Sequence, residues 1–387
     1  GVAMKSLLFI TNFYPDPQHG GIERVTNILA ESFAEQGIIC RCIYLYSCEV
    51  NLKWDYLPCQ LISAQYDKQV YIEYIQRYNI DIIINQSNLY YSPFLREVCN
   101  VTGAKLITCL HNSTECKAQH YREAVKGALG MKKILISIGY PLFAFQSSRK
   151  LRKQHRKSYD VSDLTVLLSQ SLIKSYAEVL GLGNNHHKMT FINNPLSFQY
   201  KMEESELQQK QKLALVVARL YEPQKKLSLL FKIWKQVENE GNDWQLVIVG
   251  DGPDRALYEE QVKLYGLKKV SFEGRQTSFE YYRKSSIFCM SSTWEGFPMT
   301  LLESLQMGVV PIAMNTFPAI QDILNDGENG YVVEWGDIFS FARHLMELLG
   351  NEDMLRSMQQ KALVSSERFA IGNITQKWIN IFNTLSK

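Results

Sequence analysis

Two glutamates with seven residues between them are the strongest chemical signal in the sequence. Glu295 and Glu303 follow an apolar run at 286–290 that predicts a strand. Pro298 suits the first turn of a helix, where amides have no intrahelical partner, and Gly308 suits its C-terminal stop. The segment therefore predicts a strand, a loop with the first carboxylate, and a helix that holds the second just inside its start.

The predicted helix start is also a candidate anion site. The amides of Met299, Thr300 and Leu301 lack intrahelical acceptors and point at a ligand. The two carboxylates then flank the anion, and carboxylates accept hydrogen bonds from hydroxyls. A nucleotide diphosphate-sugar has this order of groups: hydroxyls, charge, hydroxyls. The alternative is a carboxylate near a helix N-terminus plus a solvated loop carboxylate.

Two cations and a glycine follow neighbouring predicted strands. Arg219 and Lys225 come after the run at 213–218, and together they could bind one phosphate cluster. Solvated surface charge is the alternative. Gly250 follows the run at 245–249, where it could let the backbone approach a ligand.

The first half has weaker signals of the same kind. Gly20 and Gly21 lie between the first strand and a helix, and allow either close approach to a ligand or a plain tight turn. No Gly-x-Gly-x-x-Gly dinucleotide fingerprint follows this strand. His111 ends the run at 106–110 and could donate a hydrogen bond to a sugar hydroxyl or phosphate, although a lone histidine is often structural.

The elements that position these residues alternate along the chain. Apolar runs rich in Ile, Leu and Val are separated by helical patterns, which indicates parallel sheets covered on both faces. We predict an α/β fold with two Rossmann-like domains, 1–195 and 196–369, that face a cleft. A closing amphipathic helix in 370–387 needs a partner for its apolar face and could pack on either domain. The predicted strands are 7–11, 39–46, 81–85, 106–110, 164–168 and 189–192, then 213–218, 245–249, 270–272, 287–290, 310–313 and 331–333. The helix has Ile374, Trp378, Ile381 and Leu385 at helical spacing.

Composition limits the function classes. A net charge of +3 over 387 residues gives no reason to expect a nucleic-acid partner. Eight cysteines without a Cys-x-x-Cys spacing favour buried free thiols in a reducing compartment over disulfides or zinc. Met4 resembles a natural start without a secretory signal, and no apolar stretch reaches the ~20 residues of a spanning helix. We expect a cytoplasmic protein, with peripheral attachment to the cytoplasmic face of a membrane as an option.

Residues 131–157 motivate that option. An apolar run at 134–145, interrupted by Pro141, precedes six Lys or Arg in the nine residues 149–157. Apolar and basic groups together suit an interface rich in anionic lipid. A buried helix followed by a solvated charged loop is the alternative.

These motifs together resemble a known family. The Glu-x7-Glu segment is similar to that of retaining glycosyltransferases with the GT-B architecture, specifically the large family 4, and the similarity extends over nearly the whole chain. The further matching segments are Gly20-Gly21-Ile-Glu-Arg, Leu167-Leu168-Ser169-Gln170-Ser171, Asn194-Pro195, Ala218-Arg219-Leu220 with Lys225, and Val249-Gly250-Asp251-Gly252-Pro253.

The resemblance implies a role for each matching residue. Glu303 would hold the donor ribose and Glu295 the hydroxyls of the transferred sugar. Arg219 and Lys225 would bind the diphosphate and stabilise it as it leaves. His111 would lie near the reacting sugar. The closing helix in 370–387 would return to the first domain. The other residues implied in donor binding are Gly20, Gly21, Gly250, Gly274, Arg275, Gly296, Phe297, Pro298, Met299, Thr300 and Leu301.

The implied activity is metal-independent transfer, with retention, from a nucleotide diphosphate-sugar, in the first instance a UDP-sugar. The acceptor would be a glycan or a lipid-linked sugar, as in surface polysaccharide synthesis. No cofactor is expected. One departure from the family is Lys226, where glycine is common; either lysine could reach the phosphate, and Lys225 ranks first. The alternatives are a nucleotide-sugar epimerase of the same fold and a non-catalytic nucleotide-sugar-binding partner.

Overall fold

The structure is a computed structural model that describes residues 5–111 and 149–386. These residues form two units. One contains 5–111, 149–197 and 369–386, and the other contains 198–368. The predicted boundary at 195/196 lies within two residues of this division.

The first unit is built on a seven-stranded sheet whose described pairs are all parallel, in the order β3-β2-β1-β4-β5-β6-β7. Every residue of β1 and β4 is buried, as expected of strands covered on both faces. The strands are β1 (Ser6–Thr11), β2 (Ile39–Tyr44), β3 (Cys59–Leu61), β4 (Ile82–Asn85), β5 (Lys105–Cys109), β6 (Leu164–Leu167) and β7 (Met189–Phe191).

The helices of the first unit connect and cover these strands. The last of them follows the second unit in the chain but belongs to the first unit. They are α1 (Gly21–Glu35), α2 (Lys68–Arg77), α3 (Ser92–Thr102), α4 (149–161), α5 (Ser171–Leu180) and α14 (Ile371–Leu385), with 3-10 turns at Leu89–Tyr91 and Glu367–Phe369.

The second unit repeats the plan with six strands in the order β10-β9-β8-β11-β12-β13, again with parallel pairs. The strands are β8 (Leu213–Val217), β9 (Gln245–Val249), β10 (Val270–Gly274), β11 (Ile287–Met290), β12 (Val310–Asn315) and β13 (Tyr331–Glu334). The helices are α6 (Glu222–Lys225), α7 (Leu227–Asn239), α8 (Arg255–Leu264), α9 (Phe279–Lys284), α10 (Met299–Gln306), α11 (Ile320–Ile323), α12 (Ile338–Leu349) and α13 (Glu352–Ser366), with a 3-10 turn at Glu204–Gln209.

The core of the second unit explains why these elements form. Helix α7 buries Leu230, Phe231, Trp234 and Val237, which lie on one helical face. That face packs in one cluster with the strand side chains Leu246 and Ile248 of β9 and with residues of β11 and β12.

The predicted α/β fold class, with two Rossmann-like parallel-sheet domains, is confirmed. Several details differ from the prediction. Strand β3 was not predicted, because it has only three residues, two of which are exposed. Pro298 is the N-cap of α10 rather than a residue of its first turn. Gly308 follows the C-cap residue Met307 with φ +64°, which fits the predicted helix stop.

Helix α14 packs against α1 within the first unit. The rings of Phe33 and Phe382 meet edge to face with centroids 5.4 Å apart, and Ser32 Oγ and Thr375 Oγ1 share a hydrogen bond of 2.7 Å. The buried face contains Ile374 and Trp378, as predicted, but Phe382 takes the place expected for Ile381 and Leu385. Among the described residues, none of the helices combines the length and apolar character needed to cross a bilayer.

Candidate active site

The strand order of the second sheet reverses between β8 and β11. These strands are neighbours, but the next strand after β8 lies toward one edge of the sheet and the next strand after β11 lies toward the other edge. Ligands of open parallel sheets bind at such a reversal, beyond the carboxyl ends of the strands. The segment after β8 carries Lys225 and the segment after β11 carries Glu295.

These two side chains are in contact. Lys225 Nζ lies 2.5 Å from Glu295 Oε1, and Ser292 Oγ donates to the same oxygen at 2.9 Å. Only 17% of the lysine side chain and 11% of the glutamate side chain is exposed. Because neither group is fully solvated, each can interact more strongly with a charged or polar ligand than a fully exposed group can.

The loop that contains Glu295 is attached to the short helix α6 by hydrogen bonds from hydroxyl side chains. Ser291 Oγ donates to Lys225 O at 2.8 Å, and Thr293 Oγ1 donates to Pro223 O at 2.8 Å. The amide of Thr293 also donates to Gln224 O at 2.7 Å. Sequence reasoning missed Ser291, Ser292 and Thr293, although three consecutive hydroxyl residues directly after a buried strand were a usable signal.

Only one of the two adjacent lysines reaches Glu295. Lys226 has φ +49°, a left-handed conformation, and its Nζ lies 4.0 Å from Glu222 Oε1. The backbone change at Lys226 thus directs the two side chains to different carboxylates. The glycine that is common here in the resembling family would adopt this φ without strain.

Helix α10 begins at Met299, four residues after Glu295. Its N-cap is Pro298, whose side chain makes no capping hydrogen bond, so the first amides of the helix depend on another acceptor. Thr300 is half-buried and Met299 is buried. Glu303, the fifth helical residue, is fully buried. Of the remaining motif residues, Phe297 and Leu301 are buried and Gly296 is half-buried.

Arg219 is placed differently from Lys225. Its side chain is exposed, and its guanidinium carbon lies 5.6 Å from the centroid of the Tyr221 ring. It follows β8 directly, but the structure does not bring it into the Lys225–Glu295 ion pair.

Gly250 lies where two loops of the second unit touch. A Cβ on Gly250 would lie 1.8 Å from Ala218 O, and the amide of Gly250 donates to Gly274 O at 2.8 Å. The close approach that glycine permits here is therefore to neighbouring backbone. Gly274 has φ +71°, and Arg275 after it is exposed.

The remaining predicted residues lie in the first unit. Gly20 is the N-cap of α1, and a Cβ there would lie 2.8 Å from Glu23 Oε2, whereas Gly21 is exposed with open space around it. Glu23 is buried, and this desolvation raises its carboxyl pKa. Gly20 thus makes room for a buried acid at the helix start.

His111 is half-buried and its Nε2 contacts Gln86 Oε1. Burial lowers the pKa of His111 to about 4, so the ring is neutral at physiological pH. Sequence reasoning missed Gln86, which follows β4 and is buried.

The remaining predictions concern residues 131–157, the cysteines and metal binding. The apolar run at 134–145 and Cys116 lie outside the described residues, whereas the basic residues of 149–157 lie on α4 and are exposed. The described cysteines are free thiols. Within 5–111 and 149–386, no cluster of three or more His, Cys, Asp or Glu side chains is arranged as metal ligands.

The second unit is the part of the chain that matches a known protein family. Residues 197–364 match the family described as glycosyl transferases group 1. This segment is similar to the glycosyl transferases group 1 family. It contains Arg219, Lys225, both glutamates of the Glu-x7-Glu segment and the reversal point of the second sheet.

Two relatives that the chain resembles are named as sugar transferases. The chain is 34% identical over 177 residues to the amylovoran biosynthesis glycosyltransferase AmsD of Erwinia amylovora, covering 45% of this chain and 49% of that one. It is 26% identical over 258 residues to an α-1,4-N-acetyl-D-galactosaminyltransferase of Campylobacter jejuni whose name includes a PP-undecaprenol-linked glycan, covering 66% of this chain and 70% of that one. The chain thus spans about half the length of the Erwinia relative.

Solved structures match the whole fold. Anabaena Alr3699/HepE in complex with UDP superposes with a TM-score of 0.73, covering 98% of this chain and 100% of that chain, at 16% identity. At this identity the match shows the fold, and it extends beyond the segment that matches the group 1 family to the first unit.

Proposed function

We propose that the chain is a glycosyltransferase that moves a sugar from a nucleotide diphosphate-sugar to a glycan or lipid-linked acceptor, with retention of configuration and without a metal. The UDP complex of the Anabaena protein makes a UDP-sugar the first donor to test. The observation that carries the proposal is the half-buried Lys225–Glu295 pair near the start of α10, in the segment that matches the group 1 family.

The two members of that pair suit opposite ends of a sugar-phosphate bond. Lys225 offers charge to a phosphate, and Glu295 offers an acceptor oxygen to sugar hydroxyls. A phosphate that takes over Lys225 Nζ also releases Glu295 Oε1, so one binding event prepares both contacts. Ser292, already bonded to that oxygen, keeps the carboxylate in place.

The reaction needs stabilisation where charge develops. As the bond between the anomeric carbon and the phosphate oxygen breaks, that oxygen gains negative charge, and Lys225, Arg219 and the amides of Met299 and Thr300 are the groups that would stabilise it. Removing one such preorganised donor typically costs a factor of about 10² to 10³ in rate.

The acceptor hydroxyl completes the exchange of bonds. Its oxygen forms the new bond to the anomeric carbon on the face that the phosphate leaves, and its proton passes to the departing phosphate oxygen. No covalent glycosyl-enzyme intermediate is formed. Because the new bond forms on the face that the phosphate leaves, the configuration of the anomeric carbon is retained.

The buried Glu303 has a separate role in the proposal. It lies at the fifth position of α10, and its carboxylate accepts hydrogen bonds, which suits the ribose hydroxyls of the nucleotide. Because its carboxylate is fully buried, its contacts are hard for water to replace.

Donor recognition can be tested with a panel of UDP-, GDP-, ADP- and dTDP-sugars, by thermal stabilisation and by release of the nucleoside diphosphate. At a hundredfold excess over Kd one donor should stabilise the protein by about 2.7 kcal/mol and be consumed slowly. Stabilisation without release under any acceptor would indicate a binding partner, and conversion of the free donor without an acceptor would indicate an epimerase.

Metal independence has its own test. We infer that Lys225 and Arg219 supply the positive charge that a divalent cation provides elsewhere. Release of the nucleoside diphosphate should persist in excess EDTA. Loss of release in EDTA, restored by Mg²⁺ or Mn²⁺, would contradict this part of the proposal.

Peripheral membrane binding on the cytoplasmic face is a second proposal, motivated by α4. Arg149, Lys150, Arg152, Lys153, Arg156 and Lys157 are exposed on one helix of the first unit, which suits anionic headgroups. The named glycan of the Campylobacter relative is attached to PP-undecaprenol, so a lipid-linked acceptor fits the same surface. Failure of the protein to sediment with phosphatidylglycerol vesicles at low salt would remove this proposal.

A further inference from the structure

His111 belongs to a hydrogen-bonded chain that fixes which ring nitrogen carries the proton. The chain runs from His111 Nε2 to Gln86 Oε1, from Gln86 Nε2 to Thr26 Oγ1 at 3.1 Å, and from Thr26 Oγ1 to Ile22 O at 2.8 Å. Thr26 and Gln86 are both buried, and the amide of Gln86 donates to Ile10 O at 2.8 Å. Backbone and side chain of Gln86 are therefore both held.

The backbone oxygen Ile22 O, at the end of the chain of hydrogen bonds, sets the direction of each bond in it. Ile22 O can only accept, so the single proton of the Thr26 hydroxyl is used there. Thr26 Oγ1 can then only accept from Gln86. The group of Gln86 that faces Thr26 must be the amide NH₂, and the amide oxygen must face His111.

That orientation decides the state of the histidine. Gln86 Oε1 accepts, so His111 Nε2 carries a proton and donates it. Burial disfavours a second proton on the ring and lowers the pKa to about 4. The neutral ring then has Nδ1 as its acceptor.

We propose that Gln86, supported by Thr26, is a positioning residue that holds His111 as the neutral Nε2–H tautomer, so that His111 Nδ1 accepts a hydrogen bond from a ligand hydroxyl. This rests on the proposed function for the identity of the ligand, which is a sugar hydroxyl of the donor or the acceptor. It replaces the prediction that His111 donates to a hydroxyl or phosphate. The diphosphate of a sugar nucleotide is esterified at both ends, so it has no proton to give at neutral pH and is excluded as the partner of Nδ1.

The tautomer can be measured without any activity. Long-range ¹H–¹⁵N spectra of histidine-labelled protein at pH 7 distinguish the two ring nitrogens, and the His111 signals are identified by their absence in His111→Gln. We expect a single Nε2–H tautomer in the wild type and a tautomer mixture in Gln86→Met, which keeps the side-chain length but lacks the acceptor. An Nδ1–H tautomer in the wild type, or an unchanged His111 signal in Gln86→Met, would overturn the proposal.

Gln86→Glu is the matched variant for folding and for rescue. Its carboxylate keeps an acceptor for His111 Nε2, and Thr26 can turn its hydroxyl to donate to the second oxygen. We expect Gln86→Glu to retain the Nε2–H tautomer. Loss of that tautomer in both variants, with melting temperatures equal to the wild type, would overturn the assignment of the amide oxygen as its cause.

Kinetics separate the two sources of the hydroxyl. With a donor that the enzyme uses, Gln86→Met should lose about tenfold in kcat/KM, the effect of one misdirected hydrogen bond, while Gln86→Glu stays near the wild type. A loss confined to the donor KM assigns the hydroxyl to the donor, and a loss confined to the acceptor KM assigns it to the acceptor. Equal activity of Gln86→Met and wild type would contradict the positioning role even where the transferase activity itself is established.

Discussion

At the residue scale, the backbone at Lys226 separates the functions of two adjacent lysines. A non-glycine residue in the left-handed region costs about 1–2 kcal/mol, and Lys226 has φ +49°. Because of this change of direction, Lys225 pairs with Glu295 and Lys226 lies near Glu222. The strained residue is next to the proposed catalytic lysine rather than being that lysine.

Replacing Lys226 with glycine should stabilise the protein. The relief of left-handed strain exceeds the entropy that glycine adds to the unfolded chain, so we expect a gain of up to about 1 kcal/mol. The ion pair with Glu222, at 4.0 Å, contributes little to the difference. Urea unfolding of Lys226→Gly against wild type measures this. Lys226→Ala, which keeps the strain, is the control, and a Gly variant no more stable than the Ala variant would refute the strain at this position.

The residues that the sequence did not reveal are those whose role depends on a partner far away in the chain. Glu295 and Glu303 could be recognised because their spacing is local. The roles of Gln86 and Ser291 could not be assigned, since each acts through a contact created by sheet order, from β4 to α1 and from β11 to α6. A polar residue directly after a buried strand is the only local sign of either.

At the element scale, α10 is held at both ends by its surroundings. Its start follows the loop that hydroxyl side chains fix to α6. At its other end Lys210 Nζ donates to Met307 O at 2.5 Å and to Tyr282 O at 2.8 Å, which ties the C-terminal end of α10 to α9. A cation at a helix C-terminus also complements the helix dipole.

The Lys210 contact predicts a pH-dependent stability. Burial lowers the pKa of Lys210 from 10.5 to about 7, so between these values the unfolded chain binds more protons than the folded one. The free energy of unfolding contributed by this group therefore rises with pH over that window. Urea midpoints at pH 7 and pH 9 should show the rise in wild type and a smaller rise in Lys210→Met. Equal pH slopes in the two proteins would show that Lys210 stays fully charged when folded.

The contact between the loops after β8 and β9 predicts a large cost for a single methyl group. A Cβ on Gly250 would overlap Ala218 O, so Gly250→Ala must displace one of the loops that follow these strands. We expect a loss of several kcal/mol, as for other severe backbone clashes. Gly241→Ala is the control, since Gly241 has φ +68° and open space, and should cost about 1 kcal/mol. Similar unfolding midpoints for both variants would contradict a tight loop contact.

Most elements could be predicted because buried parallel strands have continuous apolar runs. All strands of the second sheet were predicted, with ends that differ by no more than two residues. β3 could not be predicted, since three residues, two of them exposed, are too few to form a pattern. The start of α10 was misplaced because proline suits both the N-cap and the first turn, and only the backbone geometry separates these positions.

At the scale of the whole molecule, chain order and unit membership differ. The second unit ends at 368, and α14 then returns to the first unit, where Phe382 is fully buried against Phe33. Stability of the first unit therefore depends on the last residues of the chain. Helical periodicity predicted the helix, whereas its return to the first domain was predicted only from the resemblance to a family, and its contact with α1 was not predicted.

Truncating Phe382 should destabilise the first unit. Removal of a buried aromatic ring costs about 3–5 kcal/mol, so Phe382→Ala should speed amide hydrogen exchange in α1 while leaving β8 and β9 of the second unit unchanged. Lys377→Ala, on the exposed face of α14, is the control and should match the wild type. Faster exchange in the second unit instead would contradict the packing of α14 on α1.

The central claim is that the second unit binds and activates a nucleotide-sugar at the Lys225–Glu295 pair. The most direct measurement is kcat/KM for release of the nucleoside diphosphate from the panel of sugar nucleotides, in wild type, Lys225→Met and the neighbouring control Lys226→Met. We predict turnover of one donor by the wild type, a loss of about 10² to 10³ in Lys225→Met and little change in Lys226→Met. Equal activity of Lys225→Met and wild type, or no turnover of any donor by the wild type, would contradict the account.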